Sequence, residues 1–283
     1  MEKEISMKNK PSASGLSIAI RDTMSSYHEN RPLVAKQQPS EFSIKIANTL
    51  EEREAVFRLG YQVYLDKGYI KENPNEWMVQ SYDACSATTI LIVQDKQKNI
   101  IGSVTLVFDG FSRLPAERIF GEELKVLKNQ NEKVAEISRL VIDPKYRNSK
   151  EILVLLFNYL YIYAYYVKNY TCLAIEVNPR HTAYYQALLH FRTIGSEKPC
   201  PSVQSAPAIL MYIPLKHGKE EMLRILKNPE ADKNNRSLYT YFVKPEQESL
   251  VAYYLAKQAK PITVEEKLYF GFSETTFGRA VCV

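Results

Sequence analysis

The sequence predicts a mixed α/β layer fold, a central sheet flanked by helices, and three observations carry that expectation. Short runs that alternate apolar and polar side chains, the period of a half-buried strand, concentrate in the first half of the chain. From residue 134 onward, strand-like and helix-like stretches follow one another as strand, helix, strand, helix, strand. At 283 residues, with 45% hydrophobic and 24% charged side chains, the chain can bury a substantial core and has an ordinary globular composition.

In chain order, residues 1–40 are rich in Ser, Pro, Lys and Gln without periodicity, which predicts a flexible tail. Residues 42–46 alternate as a first strand. Asn48 or Thr49 then caps a helix whose early turns carry Glu51, Glu52 and Glu54, where carboxylates meet the positive end of the helix dipole, and whose apolar face is Val56, Leu59, Val63 and Tyr64. Residues 67–83 form a long irregular segment, and loops of that length usually cover something. Residues 88–94 and 100–108, split by the polar turn Asp95-Lys96-Gln97-Lys98-Asn99, predict an antiparallel hairpin. Residues 113–127 read as a variable connection into a strand at 134–143, which Pro144 stops.

A helix is expected from about Ser149 to Val167, a strand over 171–177, a helix opened by Asn178-Pro179, and a last strand over 208–213. The functional domain is therefore expected at 41–215, with 216–283 a mainly helical appendage that could serve as lid, dimerisation element or membrane-surface patch. No internal repeat is visible.

Net charge +5 is mild and its Lys and Arg residues are scattered, so the dense basic stripe that phosphate neutralisation requires is missing. Nucleic acid is not indicated, whereas an acidic protein partner is compatible. Cys85, Cys172, Cys200 and Cys282 are far apart and show no metal-ligand spacing, which predicts reduced, structural thiols in a cytoplasmic protein and no metal centre. The N-terminal residues lack the apolar core of a signal peptide, and the most hydrophobic run, 152–167, is too short for a bilayer and contains Asn158. The chain holds twenty Tyr against one Trp; Tyr can line a pocket or fill a wet core edge.

The strand Val134-Ala135-Glu136-Ile137-Ser138-Arg139-Leu140-Val141-Ile142 is the most informative stretch, because it places an acid and a base in a strand interior. Side chains alternate between faces, so Glu136, Ser138 and Leu140 point one way and Ile137, Arg139 and Val141 the other. A bulge would re-aim the later residues and bring Glu136 and Arg139 beside one opening. Without one, the two charges could be a structural pair within the sheet.

Three stretches together carry a family resemblance: Phe57-Arg58-Leu59-Gly60-Tyr61-Gln62-Val63-Tyr64 with Tyr82-Asp83; Glu136-Ile137-Ser138-Arg139-Leu140-Val141; and Asn178-Pro179-Arg180-His181-Thr182-Ala183-Tyr184-Tyr185 with the Pro199-Cys200-Pro201-Ser202-Val203 and Ala206-Pro207-Ala208-Ile209-Leu210 runs. In this order they resemble the acetyltransferase-like (GNAT) fold, within it the branch of acyl-homoserine-lactone autoinducer synthases and N-acyl amino acid synthases, and the third stretch is much closer to the latter. The resemblance covers residues 42–215. It implies a bacterial N-acyltransferase moving a medium or long fatty acyl chain from the phosphopantetheine thioester of an acyl carrier protein to the amine of an amino acid, with no permanently bound cofactor. The alternatives are a lactone-type autoinducer synthase and a non-catalytic module that binds the acyl carrier.

Two departures bear on substrates. Coenzyme A enzymes of this fold use bare glycine amides after the central strand to grip pyrophosphate, but here the place reads Tyr146-Arg147-Asn148-Ser149-Lys150-Glu151, so acyl-CoA ranks behind the carrier protein as donor. Gly60 stands where the lactone synthases carry an arginine, which counts against the same acceptor.

Amide formation from a thioester needs an uncharged amine, a stabilised oxyanion and a protonated leaving thiolate. Glu136 is the candidate proton acceptor, with a pKa raised by partial withdrawal from water. Arg139 is either its positioning partner or a bidentate clamp for the acceptor carboxylate. Tyr185, at a place where this fold puts a tyrosine near the thioester sulfur, is either a general acid or a channel wall. Asp83 could hold the acceptor ammonium, and the resemblance adds Arg58, Ser138, Leu140, Val141, Asn178, Arg180 and His181 as substrate-binding candidates, with Arg147 and Lys150 for the donor phosphate or the acidic carrier. Val141, Phe157, Tyr161 and Tyr185 are candidates for an acyl channel or for core.

Overall fold

The computed structural model describes residues 41–228 and 236–272. The tail expected at 1–40 lies outside them, as does Cys282. Among the described residues, seven strands, β1 (Ser43–Ile46), β2 (Thr89–Gln94), β3 (Ile100–Phe108), β4 (Val134–Ile142), β5 (Cys172–Val177), β6 (Arg192–Cys200) and β7 (Ala206–Pro214), form one sheet in the order β1-β2-β3-β4-β5-β7-β6. Every neighbouring pair is antiparallel except β4 and β5. The expected mixed α/β layer fold, a central sheet flanked by helices, is thus the one observed, and its sheet is mostly antiparallel.

Among the described residues, seven helices pack on the two faces: α1 (Leu50–Asp66), α2 (Glu117–Asn129), α3 (Lys150–Ile162), α4 (Thr182–Leu189), α5 (Leu215–Lys227), α6 (Pro245–Gln258) and α7 (Val264–Tyr269). Thr49 caps α1, its hydroxyl accepting from Glu52 N–H at 3.3 Å. Strand alternation sorts the core. Val134 on β4 packs with Cys172 and Ala174 of β5 under Phe120, Leu124 and Leu127 of α2, whereas Ala135 and Ile137 face Leu156 and Leu160 of α3. Val56 and Phe57 of α1 lie against Ile90 and Ile92 of β2, on the same face as α2.

The described residues after 215 are mainly helical and pack into these cores. Met222, Tyr239, Ala252 and Leu255 join the α3 side, while Phe270 packs edge-on to Phe57 at 4.8 Å. Their polar ties are equally internal: Gln258 accepts from Ile46 N–H at 3.1 Å, and Asn158 accepts from Val243 N–H at 2.8 Å. That last bond explains the amide inside the most apolar helix. Among the described residues, no helix is long and apolar enough to cross a membrane.

Two elements differ from the sequence expectation. The connection 113–127 contains α2, whose Phe120, Leu124 and Leu127 recur at helical spacing and are buried, although Pro115 and Gly121 obscure the pattern. Strand β6 was not expected, because this edge strand is mostly exposed and has no alternation to read; its register to β7 shifts between Ile194 and Lys198, where Gly195 takes φ +80°.

Candidate active site

The parallel pairing of β4 with β5 runs only from Val134↔Cys172 to Ile137↔Ile175, after which the two strands part. On the other side of β4, Ser103 opposes Val141 while Thr105 opposes Ser138, so three steps on β4 meet two on β3. The extra residue is a bulge, and Arg139 within it takes φ +44°, a left-handed conformation that a branched-free but Cβ-bearing side chain adopts only when its surroundings demand it. The fork and the bulge together open a cavity of about 260 Å³, near the small end of ligand sites. Glu136, Ser138 and Leu140 line it from β4, Glu176 from β5, and Asn178 and Tyr185 from the turn and helix that follow.

Glu136 is 2% exposed yet lines the cavity. Its Oε2 accepts from Ala116 N–H at 2.9 Å, at the entry to α2, and among the described residues no cation pairs with it. Burial pushes its pKa up to about 8, opposed by the Ala116 hydrogen bond, reinforced by the nearby carboxylates of Glu176 and Glu117, and opposed again, more weakly, by the Arg118 charge.

Arg139 is not its partner. The guanidinium turns to Asp83, donating to both carboxylate oxygens at 2.7 Å, and also donates to Met78 O at 3.0 Å and Thr105 Oγ1 at 3.1 Å. The side chains of this pair are 0% and 1% exposed, and Asp83 additionally accepts from Gln80 N–H at 2.8 Å. Phe57 and Tyr82 lie under the guanidinium plane at 5.0 and 5.7 Å. The pair pins the long 67–88 segment to the bulge, so neither charge remains for a substrate. This corrects the expectation that Arg139 clamps an acceptor carboxylate and Asp83 an acceptor ammonium. The bulge does bring both Glu136 and Arg139 to the cavity wall.

Ser138 meets the Tyr82 hydroxyl at 3.0 Å. Tyr185 is edge-on to Phe157 and to Phe191, each at 6.2 Å, and burial raises its phenol pKa well above the ordinary value, so the group keeps its proton. Asn178 Oδ1 accepts from Arg180 N–H at 3.2 Å, fixing the turn that aims His181 into the cavity. Arg180 donates to the Tyr69 hydroxyl at 2.7 Å and to His181 Nε2 at 3.2 Å. Burial, then Arg180 and Lys67, push the His181 pKa down, so this rim is already crowded with positive charge.

Several candidates lie elsewhere. Arg58 pairs with Glu54 at 2.8 Å and stacks on Trp77, outside the cavity. Val141 packs with Leu59 and Val63. Phe157 and Tyr161 belong to the α3 core and to a separate apolar gap of about 20 Å³. Arg147 is exposed beyond β4, and Lys150 sits over the Tyr241 ring at 3.9 Å; neither lines the cavity. In exchange the cavity gains Glu176, Arg118, Lys67 and Cys200, which the sequence reading did not select. Glu176 had the same signal as Glu136, a charge in the interior of an apolar strand. Its carboxylate accepts from the Cys200 thiol, and burial, that bond and the charge of Glu176 push the thiol pKa up, which opposes thiolate formation. No cluster of metal ligands occurs among the described residues.

A family model described as the N-acyl amino acid synthase FeeM matches residues 55–214. Among solved structures, the chain is similar to FeeM, an N-acyl amino acid synthase from uncultured soil microbes, with TM-score 0.54 and 23% identity over 62% of this chain and 91% of that one. The acyl-homoserine lactone synthase LasI matches at TM-score 0.49 and 16% identity, covering 62% and 91% of the two chains. BjaI, a CoA-dependent acyl-homoserine lactone synthase, matches at 0.48 and 14%, covering 62% and 83%. At 23% identity the likeness to the FeeM structure is one of fold. No curated protein sequence matches the chain.

Proposed function

Because the chain belongs to the family of the N-acyl amino acid synthase FeeM, and is therefore an N-acyltransferase, we propose that it transfers a medium or long fatty acyl group from the phosphopantetheine thioester of an acyl carrier protein to the amine of an amino acid, in the cytoplasm. The observation that carries this reading is Glu136: a buried carboxylate with one hydrogen bond, no ion pair among the described residues, and a cavity in front of it at the point where β4 and β5 part.

An ammonium entering beside Glu136 favours the anionic form of the carboxylate, lowering its pKa toward neutrality. Glu136 then accepts the proton, directly or through a water, and frees the amine lone pair for the thioester carbonyl. As the C–N bond forms, negative charge builds on the carbonyl oxygen. The bulge at Arg139 leaves backbone N–H groups of β4 outside the β3 ladder, and these can donate to that oxygen. When the C–S bond breaks, the thiolate takes a proton, and Tyr185 holds one beside the cavity.

The donor's arm is expected to enter at the rim formed by Lys67, Arg180 and His181, with the exposed Arg147 beyond β4 meeting carrier acids. The absence of glycine from residues 146–151 favours the carrier over coenzyme A.

The test is direct. Purified protein is incubated with an acyl carrier thioester or the matching acyl-CoA, together with a mixture of amino acids, and products are identified by mass spectrometry. An N-acyl amino acid formed faster from the carrier supports the reading. A lactone, or faster transfer from coenzyme A, overturns the acceptor or the donor assignment respectively.

A further inference from the structure

Locking Asp83 and Arg139 together leaves the acceptor's two charges without the residues the sequence suggested for them. The remaining charged groups on the cavity wall fall on two sides. Lys67 and His181, with Arg180 behind them, crowd the rim near the β5–α4 turn; each of the first two has its pKa pushed down by burial and by the Arg180 charge. The other side holds Glu136, Glu176 and Arg118.

Glu136 stands opposite Ala174 on β5, so Glu176 is its diagonal neighbour two residues further along, on the same face. The two carboxylates therefore look into one opening, and the charge of Glu176 raises the cost of ionising Glu136. A cation placed between them relieves that cost. Arg118 begins the second position of α2, and the turn that carries it is fixed to the site because Ala116 N–H binds Glu136. Its guanidinium lies close enough to both carboxylates to favour their charged forms, yet among the described residues it makes no hydrogen bond or ion pair. A guanidinium that is exposed, unpaired and aimed at a cavity offers a planar fork suited to a carboxylate.

We propose that Arg118 is the residue that recognises the carboxylate of the acceptor, while Glu136 and Glu176 together hold its ammonium. This rests on the acyl-amino-acid reading above and adds how the acceptor is recognised: as a zwitterion whose two charges, separated by a single carbon, are read by separate residues, so that a simple amine is a poorer substrate. Glu176 is a binding residue, with Glu136 alone accepting the proton. The side chain of the acceptor then extends away from this charged wall.

The experiment compares amino acids with their carboxamides, which keep the amine and lose the negative charge. KM and kcat for both series are measured in wild type, Arg118→Ala, Glu176→Gln and Lys67→Ala, and binding of the same compounds is followed by calorimetry, which needs no turnover. Arg118→Ala is expected to raise KM for the amino acid about 10- to 100-fold, the loss of a charged hydrogen-bonding partner, and to leave the carboxamide KM unchanged. Glu176→Gln should raise KM for both series with a smaller change in kcat, and Lys67→Ala should keep the preference for a carboxylate. Retained preference in Arg118→Ala, or its loss in Lys67→Ala instead, overturns the assignment. A wild type that acylates acids and carboxamides equally also overturns it while leaving the transferase intact. A wild type that binds amino acids over carboxamides through Arg118 but acylates neither supports the clamp and removes the transferase reading.

Discussion

Asp83 and Glu136 are both buried carboxylates beside the central strand, 5% and 2% exposed, and they have opposite fates. Asp83 accepts two guanidinium hydrogen bonds at 2.7 Å and a backbone N–H, closing the loop onto the sheet. Glu136 accepts one backbone N–H and faces a cavity. The difference is one of partners: the Asp83 carboxylate, on the segment before β2, is held by a buried guanidinium, whereas the Glu136 carboxylate is desolvated with no ion pair among the described residues, and its pKa is pushed up to about 8. Chemistry belongs to the second.

Breaking the comparison from the Glu136 side gives the largest effect. Glu136→Gln keeps an oxygen for Ala116 N–H and removes the proton acceptor, so kcat should fall about 10²- to 10⁴-fold with an unchanged circular dichroism spectrum. Breaking it from the Asp83 side should cost stability. Asp83→Ala strands a buried guanidinium and is expected to lower the unfolding free energy by about 3–5 kcal/mol in a urea titration. Replacing both partners, Asp83→Leu with Arg139→Met, should cost less than the single change, because no charge is left unpaired.

The contrast can be sharpened with pH. Glu136 binds its proton more tightly folded, at about 8, than unfolded, near 4.5. Between those values the folded protein retains a proton that the unfolded chain releases, so this group's contribution to stability is complete below about pH 4.5 and is lost as pH rises toward 8. Glu136→Gln has no such loss. Its melting temperature should therefore lie close to that of wild type near pH 5 and exceed it at pH 8, by a margin on the order of 3–4 kcal/mol in stability. The smallest effect belongs to Arg58, whose exposed pair with Glu54 and stacking on Trp77 lie away from the cavity. Arg58→Ala should change stability by less than about 1 kcal/mol and KM not at all.

How much of this was legible in the sequence depended on whether a signal was local. Glu136 was visible because a charge inside an apolar strand is anomalous wherever the strand lies, and the sheet that surrounds it followed from alternation. The partner of Arg139 was not visible, because Asp83 is 56 residues away and only the bulge, which has no local signature in Ser138-Arg139-Leu140, turns the guanidinium toward it. Arg118 was hidden by the missed helix: with Pro115 and Gly121 breaking the pattern, nothing indicated that residues 116–118 close over Glu136. Glu176 could have been found by applying to β5 the argument already used for β4.

The central claim is that the Glu136 carboxylate takes the amine proton. The most direct measurement is the pH dependence of kcat/KM for the acceptor in wild type and Glu136→Gln, with acyl carrier thioester as donor. The account predicts a wild-type rate that climbs through an ionisation near pH 8 and a variant that is slow at every pH and lacks that step. Equal rates and superimposable profiles for the two proteins would contradict it.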